Sequence, residues 1–170
     1  GSYGAADFVS WFDGHPDVPR TWPLEAQSTA VIGNGNVALD VARMLVKHAE
    51  DLLPTEIPDN VHAGLAASPV TDVHIFGRRG PAQVKFTPLE LRELGDLRDV
   101  DMVVYEEDFD YDEASKAAIA SNKQVMVIDR ALQSWRKLDS VNNAGGSASR
   151  RLHLHFYAKP VEVKKDADGR

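Results

Sequence analysis

The chain has 170 residues, 43% of them hydrophobic and 26% charged, and a formal net charge of -7 at pH 7. That length and balance suit one globular domain with its own core rather than a disordered segment. The acidic balance argues against a bulk-basic nucleic-acid binder and against anionic membrane surfaces. The absence of cysteine excludes disulfides, Cys-held iron–sulfur clusters and Cys-based zinc sites. No apolar run approaches the roughly 20 residues of a membrane-spanning helix, and no leader for secretion is expected from the opening residues. A cytoplasmic or matrix-like reducing compartment is the expectation.

Ala5 to Phe12 reads as a short helix with Phe8, Trp11 and Phe12 on one face, ended by Asp13-Gly14-His15-Pro16. After a Pro-containing loop, Ser28 to Ile32 reads as a strand, Gly33 to Gly35 as a turn, and Asn36 to about His48 as a helix with a broad apolar face. Glu50 to Ser68 is acidic, holds two prolines and has room for a second helix after Asp59. Val70 to Phe76 reads as the second strand. Thr87 to Leu97 is helical, with Thr87 as N-cap, Pro88 at the first helical position and Glu90 three residues after the cap. Val100 to Tyr105 is a third strand, Glu106 to Glu113 an acidic loop, and Ala114 to about Leu138 helical in one piece or two. Ser140 to Ser149 is a polar Gly-rich turn, Leu152 to Tyr157 an alternating strand, and Val161 to Val163 a segment that pairs locally. The charged tail from Lys164 reads as frayed. Helices that separate strands in this order imply parallel pairing and right-handed crossovers. The expected class is α/β: a Rossmann-like three-layer nucleotide-binding domain with a mostly parallel central sheet.

Gly33-Asn34-Gly35-Asn36-Val37-Ala38 fits G-x-G-x-x-A, a variant of the dinucleotide fingerprint. Gly33 permits the tight turn out of the strand. Gly35 has no Cβ to keep a pyrophosphate from the backbone, and Ala38 lets the helix pack close. The helix start offers free N–H groups, those of Asn36 and Val37 foremost, and a partial positive charge. The competing reading is a Gly-rich strand-to-helix turn that binds nothing; the apolar strand before it and the amphipathic helix after it favour the nucleotide.

At the tip of the next strand an NAD-binding unit places an acidic residue on the ribose 2′-hydroxyl. Here stands Gly77-Arg78-Arg79-Gly80. Two guanidinium groups suit a dianionic 2′-phosphate, which favours NADP(H) over NAD(H). Glu90 reads as orienting an arginine or as completing a capping box. Asp40 and Arg43 are spaced to pair on the fingerprint helix. His153 and His155 share a strand face, but no third ligand stands near them in sequence, so the expectation is an ordinary strand face and no metal site. No catalytic nucleophile is evident. The run Tyr105 to Glu113 reads as a solvated acidic loop, and Phe8, Trp11 and Phe12 as core.

The stretches "ADFVSWFDGHPD", "VIGNGNVALDVARML" and "IFGRRGPAQVKFTPLELREL", joined by "LHLHFYAKPVEV", together resemble the NADP-binding domain of the adrenodoxin reductase family of ferredoxin–NADP reductases. The resemblance implies a parent flavoprotein in which hydride passes between NADPH and FAD, and single electrons pass to a ferredoxin-type iron–sulfur protein. It places Gly33, Gly35, Asn36 and Val37 along the pyrophosphate, and Arg78 and Arg79 on the 2′-phosphate with Glu90 beside them. The whole candidate cofactor set is Gly33, Asn34, Gly35, Asn36, Val37, Arg78, Arg79 and Glu90. No second fingerprint occurs, so residues 1–170 are expected to be a single, truncated NADP-binding domain, with the FAD domain absent from this chain. Alone, it is expected to be inactive as a reductase and to bind NADP(H) weakly. The alternatives are the NADPH domain of a glutamate-synthase-small-subunit-like flavoprotein and a non-catalytic nucleotide-sensing module.

Overall fold

A computed structural model describes residues 1–141 and 147–165 of the chain, with the backbone alone for 137–141. The middle of the Gly-rich stretch (142–146) and the end of the charged tail (166–170), read above as a turn and a frayed end, lie outside the described residues. In chain order the elements are α1 (Ala5–Phe12), β1 (Ser28–Ile32), α2 (Asn36–Val46), α3 (Asp59–Ala66), β2 (Asp72–Phe76), α4 (Pro88–Gly95), β3 (Val100–Val104), α5 (Glu113–Ser121), α6 (Lys123–Val141) and β4 (Arg150–His155). No described helix is long and apolar enough to cross a membrane.

Local chemistry sets most of these bounds. Gly14, at φ +74°, takes the left-handed conformation that ends α1. Proline opens α4, and the Thr87 N–H before it donates to Glu90 Oε2 at 3.2 Å. Asp112 Oδ1 accepts from the Ser115 N–H at 2.7 Å and caps α5. Asn122 Oδ1 accepts from the Gln124 N–H at 2.9 Å and starts α6, so the long helical region is two pieces. In the acidic segment, α3 buries Val61 and Leu65, and Gly64 gives the Trp11 ring room: a Cβ there would lie 3.2 Å from Trp11 Cζ2.

The four strands are all parallel, in the order β1-β2-β4-β3. The last strand in sequence therefore lies inside the sheet. Its register sets His74 opposite His153 and Phe76 opposite His155 on one side, and Val103 opposite His153 on the other. One face of the sheet, with Val31, Val73, Ile75, Val104, Leu152 and Leu154, is buried in a core that also takes Leu39, Val46, Leu91, Leu94 and Leu132 from the helices. α2 packs on β1, β2 and β4, α6 packs on β3, and α4 lies between α2 and α6. The other face carries Asp72, His74, Phe76, Arg151, His153 and His155 and is only partly covered. Phe8 and Trp11 are core as expected, while Phe12 is half-buried.

Two expectations fail. Val161 to Val163 pairs with nothing: no strand is present there, and Val161 and Val163 are 90% and 83% exposed. The acidic run is not simply a solvated loop. Its Glu106–Phe109 turn buries Asp108 and Phe109, and Asp108 Oδ2 accepts the Phe156 N–H at 3.1 Å just past β4. Burial raises the Asp108 pKa above its ordinary value, the cost of satisfying that backbone donor with a carboxyl group.

At their carboxyl ends the strands are stitched together. The Gly33 N–H donates to Phe76 C=O at 2.9 Å, Gly77 N–H to His155 C=O at 2.8 Å, and Ala158 N–H to Gly77 C=O at 2.9 Å. Gly33 sits at φ +125°. A Cβ on Gly77 would fall 2.2 Å from Asn34 Nδ2 and 2.5 Å from its Cγ, so the turn after β2 admits the turn after β1 only without a side chain. Gly77→Ala is expected to destabilise the chain by about 1–3 kcal/mol through overpacking, measured by urea unfolding. Added to Asn34→Ala, the same change should cost far less; an additive double variant would rule out this contact as the cause. Leu152, fully buried on the inserted strand, should lose about 2–5 kcal/mol as Leu152→Ala in the same assay.

Candidate functional site

The turns after β1 and β2 frame a cleft of about 550 Å³ at the carboxyl edge of the sheet. Ile32, Gly33 and Asn34 form one wall, and Phe76, Arg78 and Arg79 the next; Lys85, Lys159 and Pro160 complete it. A crevice outside the carboxyl ends of parallel strands is where open α/β sheets bind their ligands. Four cationic side chains face this one, and among the described residues none of the four forms an ion pair. Four like charges held together without carboxylates repel one another, and an anion in the cleft would relieve that repulsion.

The neighbouring start of α2 is built to match. No side chain caps the helix; its first backbone bond within the turn is from Leu39 N–H to Gly35 C=O. The N–H groups of Asn36, Val37 and Ala38 are thus the orphan donors of a helix N-terminus. A Cβ on Gly35 would meet nothing within 4 Å, so the glycine leaves room that the protein itself does not fill. Ala38 comes within contact of Gly33, at 3.8 Å from a Cβ built there, which keeps helix and turn close. Asn34 Nδ2 is buried and lacks a hydrogen-bond partner among the described residues. An amide left so costs about 1–3 kcal/mol, and Asn34 is one of the residues that line the cleft.

Sequence reasoning placed Glu90 beside the arginines or in a capping box. Its carboxylate is engaged elsewhere than on an arginine: Oε1 accepts from Asn36 Nδ2 at 3.2 Å and Oε2 from the Thr87 N–H at 3.2 Å. It therefore orients the asparagine at the start of α2. Glu90, Gly35, Asn36 and Val37 flank the cleft rather than line it. Asp40 and Arg43 pair as spaced, Oδ1 to Nη2 at 2.9 Å, and Arg43 also holds Glu93, so this group ties α2 to α4. Lys85 and Lys159 are the residues that sequence reasoning missed. Lys85 follows Arg79 by six positions, a spacing no motif fixes. Lys159 arrives from beyond β4 because Tyr157 N–H donates to Arg79 C=O at 3.3 Å and Ala158 N–H to Gly77 C=O. A Cβ on Gly80 would lie 2.0 Å from Tyr157 Oη, so this glycine lets the segment come down over the arginine turn.

The strand histidines lie on the half-covered face. Burial and then neighbouring histidines lower the pKa of His74 and bring that of His155 down to about 4. For Asp72, burial works in the opposite direction, but hydrogen bonds from His153, Thr71 and Arg151 outweigh it and hold the carboxyl at about 2.

No protein-family model matches the chain. Individual relatives do. The NADPH-ferredoxin reductase FprA of Mycobacterium tuberculosis is 38% identical over 167 residues, which are 96% of this chain and 35% of that protein. The mitochondrial NADPH:adrenodoxin oxidoreductase of Bos taurus is 36% identical over all of this chain and 35% of its own length, and that of Arabidopsis thaliana 33% identical over 94% of this chain and 33% of its own. The solved structure of Mycobacterium tuberculosis FprA in complex with NADPH superposes with a TM-score of 0.85 at 37% identity, covering 98% of this chain and 36% of that one. The chain spans about a third of the length of the curated relatives it matches. By sequence and by fold, the chain is homologous to a region of the NADPH-ferredoxin and adrenodoxin reductases that is about a third of their length.

Proposed function

We propose that this chain is a single NADP(H)-binding domain, residues 1–170, of a longer FAD-dependent ferredoxin–NADP reductase. The observation that carries the reading is the cleft of Arg78, Arg79, Lys85 and Lys159, free of carboxylate partners among the described residues and set beside an uncapped glycine-turn helix. The relative solved with NADPH supports it. In this reading Arg78 and Arg79 hold the 2′-phosphate through charge-assisted, bidentate hydrogen bonds. Gly33, Asn34, Gly35, Asn36 and Val37 hold the pyrophosphate, with the free N–H groups at the start of α2 as donors and the helix as a dipole. Glu90 fixes Asn36 and so sets the direction of its side chain.

Bound NADPH supplies the hydride, which in the parent enzyme passes to FAD before electrons leave singly to a ferredoxin-type iron–sulfur protein. The residues of this chain bind and orient the nucleotide and contribute no nucleophile or proton carrier. The region alone is then without reductase activity. A cytoplasmic or matrix-like compartment fits the lack of cysteine and the mitochondrial names of two relatives.

Calorimetric titration at low salt with 2′-phospho-AMP and with 5′-AMP tests the reading. The 2′-phosphate ligand should bind and 5′-AMP should bind far more weakly; equal binding of the two would overturn it. Arg78→Ala with Arg79→Ala removes two charged hydrogen-bonding groups worth about 1.5–3 kcal/mol each. It should weaken 2′-phospho-AMP by an order of magnitude or more and leave 5′-AMP unchanged. Lys85→Gln with Lys159→Gln should weaken it by about 2–10-fold and flatten its salt dependence, since lysine acts there as a point charge rather than a fork.

A further inference from the structure

The parallel register of β2 and β4 gathers residues that are distant in sequence. Asp72, His74 and His153 each offer one ligand atom, and those atoms all lie within 4.8 Å of one another. The neighbouring strand β2 thus brings two further ligand residues, Asp72 and His74, to His153. Each member is also held from behind. His153 contacts Asp72 Oδ1 through Nε2 at 2.9 Å and Tyr105 Oη through Nδ1 at 2.9 Å. His74 Nδ1 meets His155 Nε2 at 2.9 Å, leaving Nε2 for coordination. The Asp72 carboxylate takes Arg151 Nε on Oδ1 at 2.8 Å, and Arg151 Nη2 and Thr71 Oγ1 on Oδ2 at 3.2 and 2.7 Å. The rings of His74 and His153 stack at 4.2 Å between centroids.

This is the pattern of a metal centre with its outer shell in place, in which each ligating imidazole uses its other nitrogen to hold a partner. We propose that Asp72, His74 and His153 bind a divalent ion of the zinc type, leaving a fourth position to water. His155, Tyr105 and Arg151 are positioning residues that set the ligands' orientation. Zinc bonds of about 2.0–2.1 Å bring tetrahedral donors to about 3.3 Å apart, so on binding the stacked rings of His74 and His153 would turn out of parallel to aim both nitrogens at one ion. The ion takes the place of the hydrogen between His153 and Asp72. Because Arg151 offsets the one carboxylate and the other two ligands are imidazoles, the site favours zinc-type ions over calcium or magnesium, which need several oxygen donors. The site adjoins the nucleotide cleft: Phe76, in the cleft wall, stacks on the His155 ring at 4.4 Å between centroids.

Titration of the tag-free 170-residue chain with Co²⁺ and with Zn²⁺ tests the proposal. Co²⁺ should give the visible absorption of a tetrahedral ion, saturating at one per chain and abolished by Zn²⁺ but not by excess Ca²⁺ or Mg²⁺. Absence of a saturating one-to-one signal with the unaltered chain would overturn the proposal without any variant. His74→Gln and His153→Gln should each weaken Zn²⁺ at least about tenfold by calorimetry, and Tyr105→Phe by a smaller factor, as outer-shell losses do. His15→Gln, which removes an exposed histidine, should change nothing. One-to-one binding that survives both ligand variants at full affinity would also overturn it.

Discussion

Strand β4 comes last in sequence yet lies between β2 and β3, and most of the molecule depends on that insertion. It closes the buried face with Leu152 and Leu154. It carries Phe156 to the buried carboxyl of Asp108 and binds the Gly77 turn through backbone bonds on either side of the strand end. A parallel strand placed centrally needs partners on both edges and apolar cover on at least one face, so β4 joins only where β2 and β3 are already spaced to accept it. The turn after β2 is held to the sheet by these bonds, and the turn after β1 by the Gly33 N–H to Phe76 C=O bond to β2.

The two ends of the charge pattern follow from this frame. Acidic groups near the cleft are used internally: Glu90 on Asn36 and Thr87, Glu93 and Asp40 on Arg43. The cationic groups at the cleft have no such partners among the described residues. A chain with a net charge of -7 thus concentrates positive potential at one place, which focuses an anionic ligand there against an overall repulsive field.

Asn34 and Gly77 illustrate how tightly the site is coupled to folding. The asparagine occupies the space a Cβ on Gly77 would need, and its amide nitrogen has no hydrogen-bond partner among the described residues. A buried donor without a partner is a cost that a folded chain ordinarily avoids. Asn34 lines the cleft, while this nitrogen is buried beside Gly77. The partly covered sheet face shows the same economy in another form, with histidines stacked in register instead of the apolar residues of the opposite face.

The sequence by itself determined the type of the four strands and of the helices, while the pairing expected at Val161–Val163 does not form. Alternation and helical periodicity gave β1 and α1 to the residue. Capping chemistry gave α4, and the glycine fingerprint and the arginine pair gave the position of the cleft. These signals are local, because a turn, a cap or an amphipathic face is decided by neighbours within a few residues. The tertiary structure decided what depends on register and strand order. That Lys159 joins Arg78 and Arg79, that Asp108 is buried in an acidic run, and that His153 meets Asp72 and His74 follow from where β4 enters the sheet; that Lys85 joins the cleft and that Glu90 serves an asparagine follow from how α4 packs beside α2. Pairings of strands some 80 residues apart leave no spacing for a motif to record, since the chain between them sets no fixed distance.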